Sequence, residues 1–295
     1  MSHLPLTFVY AFERVAPECW ENILDEFAFA GAKHLVLNSS VVSRMAAAPL
    51  EIKKLLRSAA DRGLDFVDSH APMGIGFDMN CPLENLRRQM ILRHRLYLNI
   101  ASEFGVDTMT IHTGNDHHYP EIPENVHYDN IRRTLDELLP EAEKCGVVIA
   151  MENIWFRVNT PDKILMLKKE YDTPFLGLCY DSGHANLLDK GRYFAGGIVR
   201  KCWGEAGLAE QILWEDQALE KMQTEIVCCH LHDNDGITDQ HCMPGKGTLD
   251  WQKIVPQLLQ APKLKSIQCE AYTHRSGNTV SEIVASCRKI LPDLF

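Results

Sequence analysis

Four successive helical patterns in this chain stop at a glycine, and a short apolar run follows each one. The glycines are Gly31, Gly63, Gly105 and Gly146. Glycine just past a helix end accepts the left-handed conformation that terminates the helix. A chain that stops a helix and begins a buried strand four times in a row is built from repeated βα units. Eight strand candidates follow from the apolar runs: Leu6–Tyr10, His34–Leu37, Leu64–Asp68, Thr108–His112, Val147–Glu152, Phe175–Asp181, Glu225–His232 and Leu264–Glu270. Helical patterns between them cover Pro17–Ala30, Pro49–Arg62, Pro82–Phe104 and Asn125–Cys145. Thr160-Pro161 opens the next helix with proline in its first turn. Asp250 reads as the N-cap of a helix from Trp251, and a last helix runs from about Thr279 to Ile290. Leu187–Gly207 is Gly-rich and irregular, so the sixth unit is longer.

The pattern predicts an α/β chain forming a single (β/α)8 TIM barrel, with one domain over residues 1–295. No Ser/Pro-rich boundary or low-complexity segment interrupts it. A doubly wound open sheet would carry a Gly-rich fingerprint after its first strand, and none is present. The start, MSHLPLTFVYAFERV, has neither a basic leader nor a long apolar stretch, which predicts no signal peptide and no membrane span. Ten cysteines invite a disulfide reading, but Cys179, Cys228, Cys229 and Cys269 lie inside strand-like runs and no Cys-x-x-Cys occurs. Free thiols in a reducing cytoplasm fit that placement better. A net charge of −10 argues against a broad nucleic-acid surface. The basic stretch Arg87–Arg95 alternates with apolar residues at helical spacing, as the solvated face of a helix does.

Six residues able to hold a metal stand at the ends of successive apolar runs: His70, His112, Glu152, Asp181, His230 and Glu270. In a barrel the C-terminal ends of the strands converge on one face. Three carboxylates brought together there repel one another unless a cation neutralises them. His230 adds an imidazole to Glu152, Asp181 and Glu270. Taken singly, each acid reads equally well as a helix cap or an ion-pair partner. In Asp181-Ser-Gly-His184 the spacing of three puts both side chains on one turn. Alternation along the seventh strand puts His230 and His232 on one face. Asp239-x-His241, in the loop beyond, has the spacing to reach a second metal. Pro244-Gly-Lys-Gly247 is a tight turn whose amides and Lys246 could hold an anion, or simply a turn before the next helix. His70 and His112 are open to metal binding, substrate contact or a structural role.

Together these motifs resemble the xylose isomerase-like TIM barrel superfamily. The resemblance rests on His70-Ala-Pro, Ile111-His-Thr-Gly, Met151-Glu-Asn, Asp181-Ser-Gly-His, His230-Leu-His-Asp-Asn-Asp, Asp239-x-His, Pro244-Gly-Lys-Gly with its following Asp-Trp, and Glu270. It covers nearly the whole chain and keeps the superfamily's order. The ketose epimerase branch implies one divalent metal, Mn2+, Mg2+, Zn2+ or Co2+, held by Glu152, Asp181, His230 and Glu270. The two glutamates would also serve as acid and base, and His184 would contact substrate. The endonuclease IV branch implies three zinc ions, with His70, His112, His184, Asp239 and His241 as further ligands. This chain departs from the repair enzymes in three places. Met73-Gly74 replaces their DNA wedge, Gln240 stands in their Asp-Arg-His, and Ile154-Trp155-Phe156-Arg157 replaces an Ala/Gly-rich stretch.

The resemblance therefore implies an isomerase or epimerase of a sugar or sugar phosphate, working by proton transfer through a metal-stabilised enediolate. His70, His112, His184, Trp155 and Lys246 are its expected substrate contacts. A small carbohydrate is the expected partner, with no nucleic acid or membrane, in a cytoplasmic protein that could form a homo-oligomer. A three-zinc phosphodiester hydrolase acting on abasic DNA is the alternative.

Overall fold

Eight apolar runs become eight parallel strands in the computed structural model, which describes residues 4–294. The expected domain bounds therefore reach past the described residues at both ends. The strands are β1 (Leu6–Phe8), β2 (His34–Leu37), β3 (Asp65–His70), β4 (Thr108–Ile111), β5 (Val148–Glu152), β6 (Leu176–Asp181), β7 (Ile226–Leu231) and β8 (Ser266–Cys269). They pair in sequence order, and β8 pairs with β1 to close the barrel. Closure buries both faces of the strands, which is why they read as continuous apolar runs rather than alternating ones.

The helices that follow are α1 (Trp20–Ala30), α2 (Ser39–Ala47), α3 (Pro49–Ala60), α4 (Glu84–Glu103), α5 (Glu124–Cys145) and α6 (Pro161–Glu170). Then come α7 (Ser182–Lys190), α8 (Ile198–Glu205), α9 (Ala218–Met222), α10 (Trp251–Leu258), α11 (Thr273–Ser276) and α12 (Val280–Ile290). The four stop glycines all take the left-handed conformation, with φ of 85°, 69°, 70° and 69° in chain order. Asp250 accepts from the Lys253 amide at 3.2 Å, and Thr279 forms a capping box with Glu282.

The main core lies between the strands and the helices. The irregular stretch after β6 packs a smaller core of its own, in which Leu187, Leu188, Val199 and Trp203 surround Ile154 and Trp155. This satellite core fixes the loop after β5 against the barrel mouth. Trp203 strengthens the contact by donating from Nε1 to the Trp155 carbonyl at 2.7 Å.

Residues two apart on a strand share a face. That periodicity fills the barrel interior in layers. Low in the barrel, Asp68 accepts from the Ser69 amide, the Thr108 hydroxyl and the Ser266 hydroxyl, each at 2.8 Å. Thr110, Cys228 and Gln268 come next, and the next same-face step brings His70, Glu152, Asp181, His230 and Glu270 to the mouth. All ten cysteines are free, and Cys179, Cys228, Cys229 and Cys269 are buried. Among the described residues no helix is long and apolar enough to cross a membrane.

Candidate metal centre

The register carries the site. Asp181 lies beside His230 across the β6–β7 pairing, and Glu152 ends β5 beside Cys179 of β6. Glu270 follows β8 directly, its amide donating to the Leu231 carbonyl at 3.0 Å. As a result one ligand atom from each of Glu152, Asp181, His230 and Glu270 falls within 4.8 Å of the others. His230 Nδ1 stands 3.3 Å from Glu270, 3.6 Å from Glu152 and 3.8 Å from Asp181. All four side chains are buried.

Two further groups flank this one. His70 and His112 approach Glu152 Oε2 from one side, at 3.4 and 3.0 Å. On the other side His184, His232, Asp239 and His241 gather within the same 4.8 Å limit. His241 Nε2 meets Asp239 at 3.0 Å, and His184 Nε2 lies 3.8 Å from it. The structure thus brings together every residue expected in the metal set and its extensions. It adds His232, whose Nε2 lies 3.1 Å from Asp181 and whose ring stacks on His241 at 3.9 Å. Strand alternation put His232 on the face of His230; its pairing with Asp181 depends on the β6–β7 register, which the sequence does not reveal. Gly183 makes room for it, since a Cβ there would fall 2.0 Å from the imidazole.

The donor set fits a cation. A carbonyl oxygen can only accept, so a ring nitrogen beside one carries the proton and the other nitrogen is left to bind. His70 Nδ1 faces the Ala71 carbonyl at 2.6 Å, His184 Nδ1 that of Asn153 at 3.0 Å, and His241 Nδ1 that of Glu270 at 3.0 Å. Each Nε2 is thereby turned toward a carboxylate. Glu152 Oε2, His230 Nδ1, His232 Nδ1 and Asp239 Oδ1 are buried without an aligned hydrogen-bond partner. Buried atoms of this kind are costly unless something binds them. The donors that do converge, Glu152, Asp181, His230 and Glu270 in one group and His184, His232, Asp239 and His241 in the other, offer the mixed nitrogen and oxygen atoms that suit a divalent ion.

Electrostatics agree. Burial alone would raise the Glu152 carboxyl, but the neighbouring charges of His112 and His230 hold it well below the ordinary carboxylate range. Glu270 is likewise held low, burial being outweighed chiefly by His230. Burial opposes protonation of His184, yet Asp181, Glu152 and Asp239 push it up to about 10. His230 is raised well above the usual imidazole value by Glu270 and Glu152 against its burial. Without a metal, protons on the imidazoles balance the carboxylates.

Above this floor opens a cavity of about 290 Å3. Its walls come from loops: Trp155 and Phe156 after β5, Tyr272 and Arg275 after β8, and Asp78, Asn115 and His118 after β3 and β4. Trp155 stands edge-on to His184, with ring centres 5.0 Å apart. Arg275 lies over the Tyr272 ring at 5.3 Å and donates to the Asp239 carbonyl at 3.2 Å. His70, His112, His184 and Trp155 line this cavity. Lys246 does not; it is exposed and lines a neighbouring groove with Trp155, Asp239 and Arg275. The amides of its turn are also engaged. Gly245 donates to Asp233 at 2.9 Å and Lys246 to the Met243 carbonyl at 3.2 Å. Asp233 further accepts from the Leu249 amide and Trp251 Nε1, so the Pro244–Gly247 turn is clamped from beneath.

The molecule is a closed barrel with acid and imidazole donors gathered at its C-terminal mouth. The chain belongs to the xylose isomerase-like TIM barrel family, whose description matches residues 16–289. An uncharacterised protein of Sinorhizobium fredii, y4fM, is 23% identical over 94% of this chain and 93% of its own. The solved structure of D-psicose 3-epimerase with D-tagatose from Clostridium cellulolyticum superposes with a TM-score of 0.65 at 16% identity, over 98% of this chain and 92% of that one. The structure of IolI with a bound zinc atom gives 0.69 at 16% identity, over 99% and 98%. At such identities the likeness to the solved structures is one of fold.

Proposed function

We propose that this protein is a divalent-metal-dependent isomerase or epimerase of a sugar or sugar phosphate. The observation that carries the reading is a pair of buried carboxylates, Glu152 and Glu270, both beside His230 at the floor of a small cavity and both held below the ordinary carboxylate range by neighbouring imidazoles. Glu152, Asp181, His230 and Glu270 would hold the metal, Mn2+, Mg2+, Zn2+ or Co2+. When bound, the ion supplies positive charge that polarises a carbonyl and stabilises the negative charge left when a neighbouring carbon loses its proton. One glutamate accepts that proton and the other, or the same one, returns it. Return to the opposite face gives an epimer, and return to the adjacent carbon gives an aldose–ketose pair. Trp155 and Phe156 form an apolar wall that limits water at the reacting carbon. The epimerase and zinc-bound relatives in the same fold support the reading.

Alanine at Glu152 or Glu270 should abolish turnover of D-tagatose and related ketoses while circular dichroism stays native. Substantial residual activity in either variant would overturn the assignment. The two flanking groups give metal analysis a second use. One ion per chain after purification without added metal supports the sugar reading. Three zinc ions with cleavage of abasic DNA would replace it by a phosphodiester hydrolase.

A further inference from the structure

We infer that Asp78, Asn115 and His118 form a polar subsite that receives an uncharged, hydroxyl-bearing part of the substrate. This rests on the sugar reading and narrows it to free sugars over sugar phosphates. Asp78 lies in the turn after His70-Ala-Pro and is only 3% exposed. Gly74, at φ +94°, donates its amide to Asp78 Oδ1 at 2.8 Å, and Asp78 donates back to the Gly74 carbonyl at 3.1 Å. The other carboxylate oxygen, Oδ2, accepts no hydrogen bond. It stands 3.4 Å from Nδ1 of His118, whose side chain is 30% exposed. Asn115 accepts from the His117 amide at 2.9 Å, which turns its NH2 toward His118 Nε2, 3.4 Å away. All three residues line the cavity that also contains His70, His112 and Glu152.

The loop that carries His118 is anchored. Beside it, buried Asp116 accepts from Arg157 Nε at 3.0 Å. Neither barrel closure nor the metal donor set uses Asp78, and its Oδ2 has the His118 ring beside it but no aligned hydrogen bond, so a further donor there would be favourable. A sugar hydroxyl offers Asp78 an aligned donor and accepts from His118 or Asn115 in the same position. A phosphate or carboxylate would bring only acceptors to a site whose buried member is already an anion. Arg275, the cation at the cavity rim, is engaged with Asp239 and Tyr272.

The test measures binding of D-tagatose and D-tagatose 6-phosphate to the Mn2+-loaded protein by calorimetry, in the wild type, His118→Gln and Asp78→Asn. The wild type should bind the free sugar more tightly than its phosphate. His118→Gln should weaken sugar binding by about tenfold, the loss of a hydrogen bond or two, with metal content and melting temperature unchanged. In turnover the loss should fall on KM rather than kcat. Asp78→Asn should narrow the gap between sugar and phosphate; if that variant folds poorly, His118→Gln alone decides. Tighter binding of the phosphate by the wild type, or unchanged sugar binding in His118→Gln, would overturn the subsite and leave the sugar reading standing. Binding of neither ligand would remove the sugar reading and the subsite with it.

Discussion

The barrel buries carboxylates at two levels and treats them in opposite ways. Asp68, low in the interior, is completely enclosed and accepts three hydrogen bonds from Ser69, Thr108 and Ser266. Among the described residues no imidazole is within ion-pair distance of it, and burial raises its pKa. Glu152, at the mouth, has nitrogens of His70, His112, His184 and His230 within 3.6 Å, yet no donor is aligned on its Oε2. Its pKa is lowered. Both acids are sealed from water, so burial alone does not mark a functional carboxylate. What marks one is charge brought close and left uncommitted.

The largest effect should separate the two levels by activity. Glu152→Ala or Glu270→Ala should cost about 10³-fold or more in kcat/KM, in the range of losing a general acid or base, while circular dichroism stays native. Metal removal comes next. Chelation should lower stability by about 3–4 kcal/mol where the ion had been present at 100–1,000 times its Kd. Glu152→Gln should largely erase that difference, whereas Asp68→Asn should preserve it. Asp68→Ala should behave in reverse of the mouth variants. Three donors lose their acceptor, so unfolding free energy should fall by about 2–3 kcal/mol while metal content holds. Guanidinium titrations with metal analysis check both halves.

A smaller effect concerns pH. His184 has a folded pKa near 10, above the unfolded imidazole value of about 6.5. Its contribution is therefore fully present below about pH 6.5 and is lost as pH rises toward 10. The melting temperature of the metal-free protein should decline across that window. That of the metal-loaded protein should decline much less, because metal binding has already displaced the protons. Smallest of all, Asp68→Asn should slightly raise the melting temperature near neutral pH. A carboxyl whose folded pKa is raised favours the fold most at low pH, and that contribution is lost as pH rises through the folded value.

Much of this was legible in the chain. The glycines at 31, 63, 105 and 146 all terminate their helices as read, and the eight strands fall within a few residues of their apolar runs. The mouth donors were legible too, because strand ends converge whatever the loops do. The loops were less so. Residues 39–47 form α2 under an Asn38 cap, although their pattern SSVVSRMAA has too little apolar periodicity to announce a helix. The Pro244–Gly247 turn has the composition of an anion loop, but Asp233 takes one of its amides. Asp78 and His118 belong to no motif and stand 40 residues apart, so only the fold brings them together.

The Asp233 clamp bears on how such a barrel changes over time. One carboxylate gathers the amides of Gly245 and Leu249 and the indole of Trp251, so the loop carries its own scaffold. Residues 233–251 thus keep their turn wherever they are carried, but Asp239 and His241 are aimed from outside it, by Arg275 and by the Glu270 carbonyl, so the segment and the end of β8 must change together. Moving Asp239 and His241 alone would transfer the ligands without the frame that aims them.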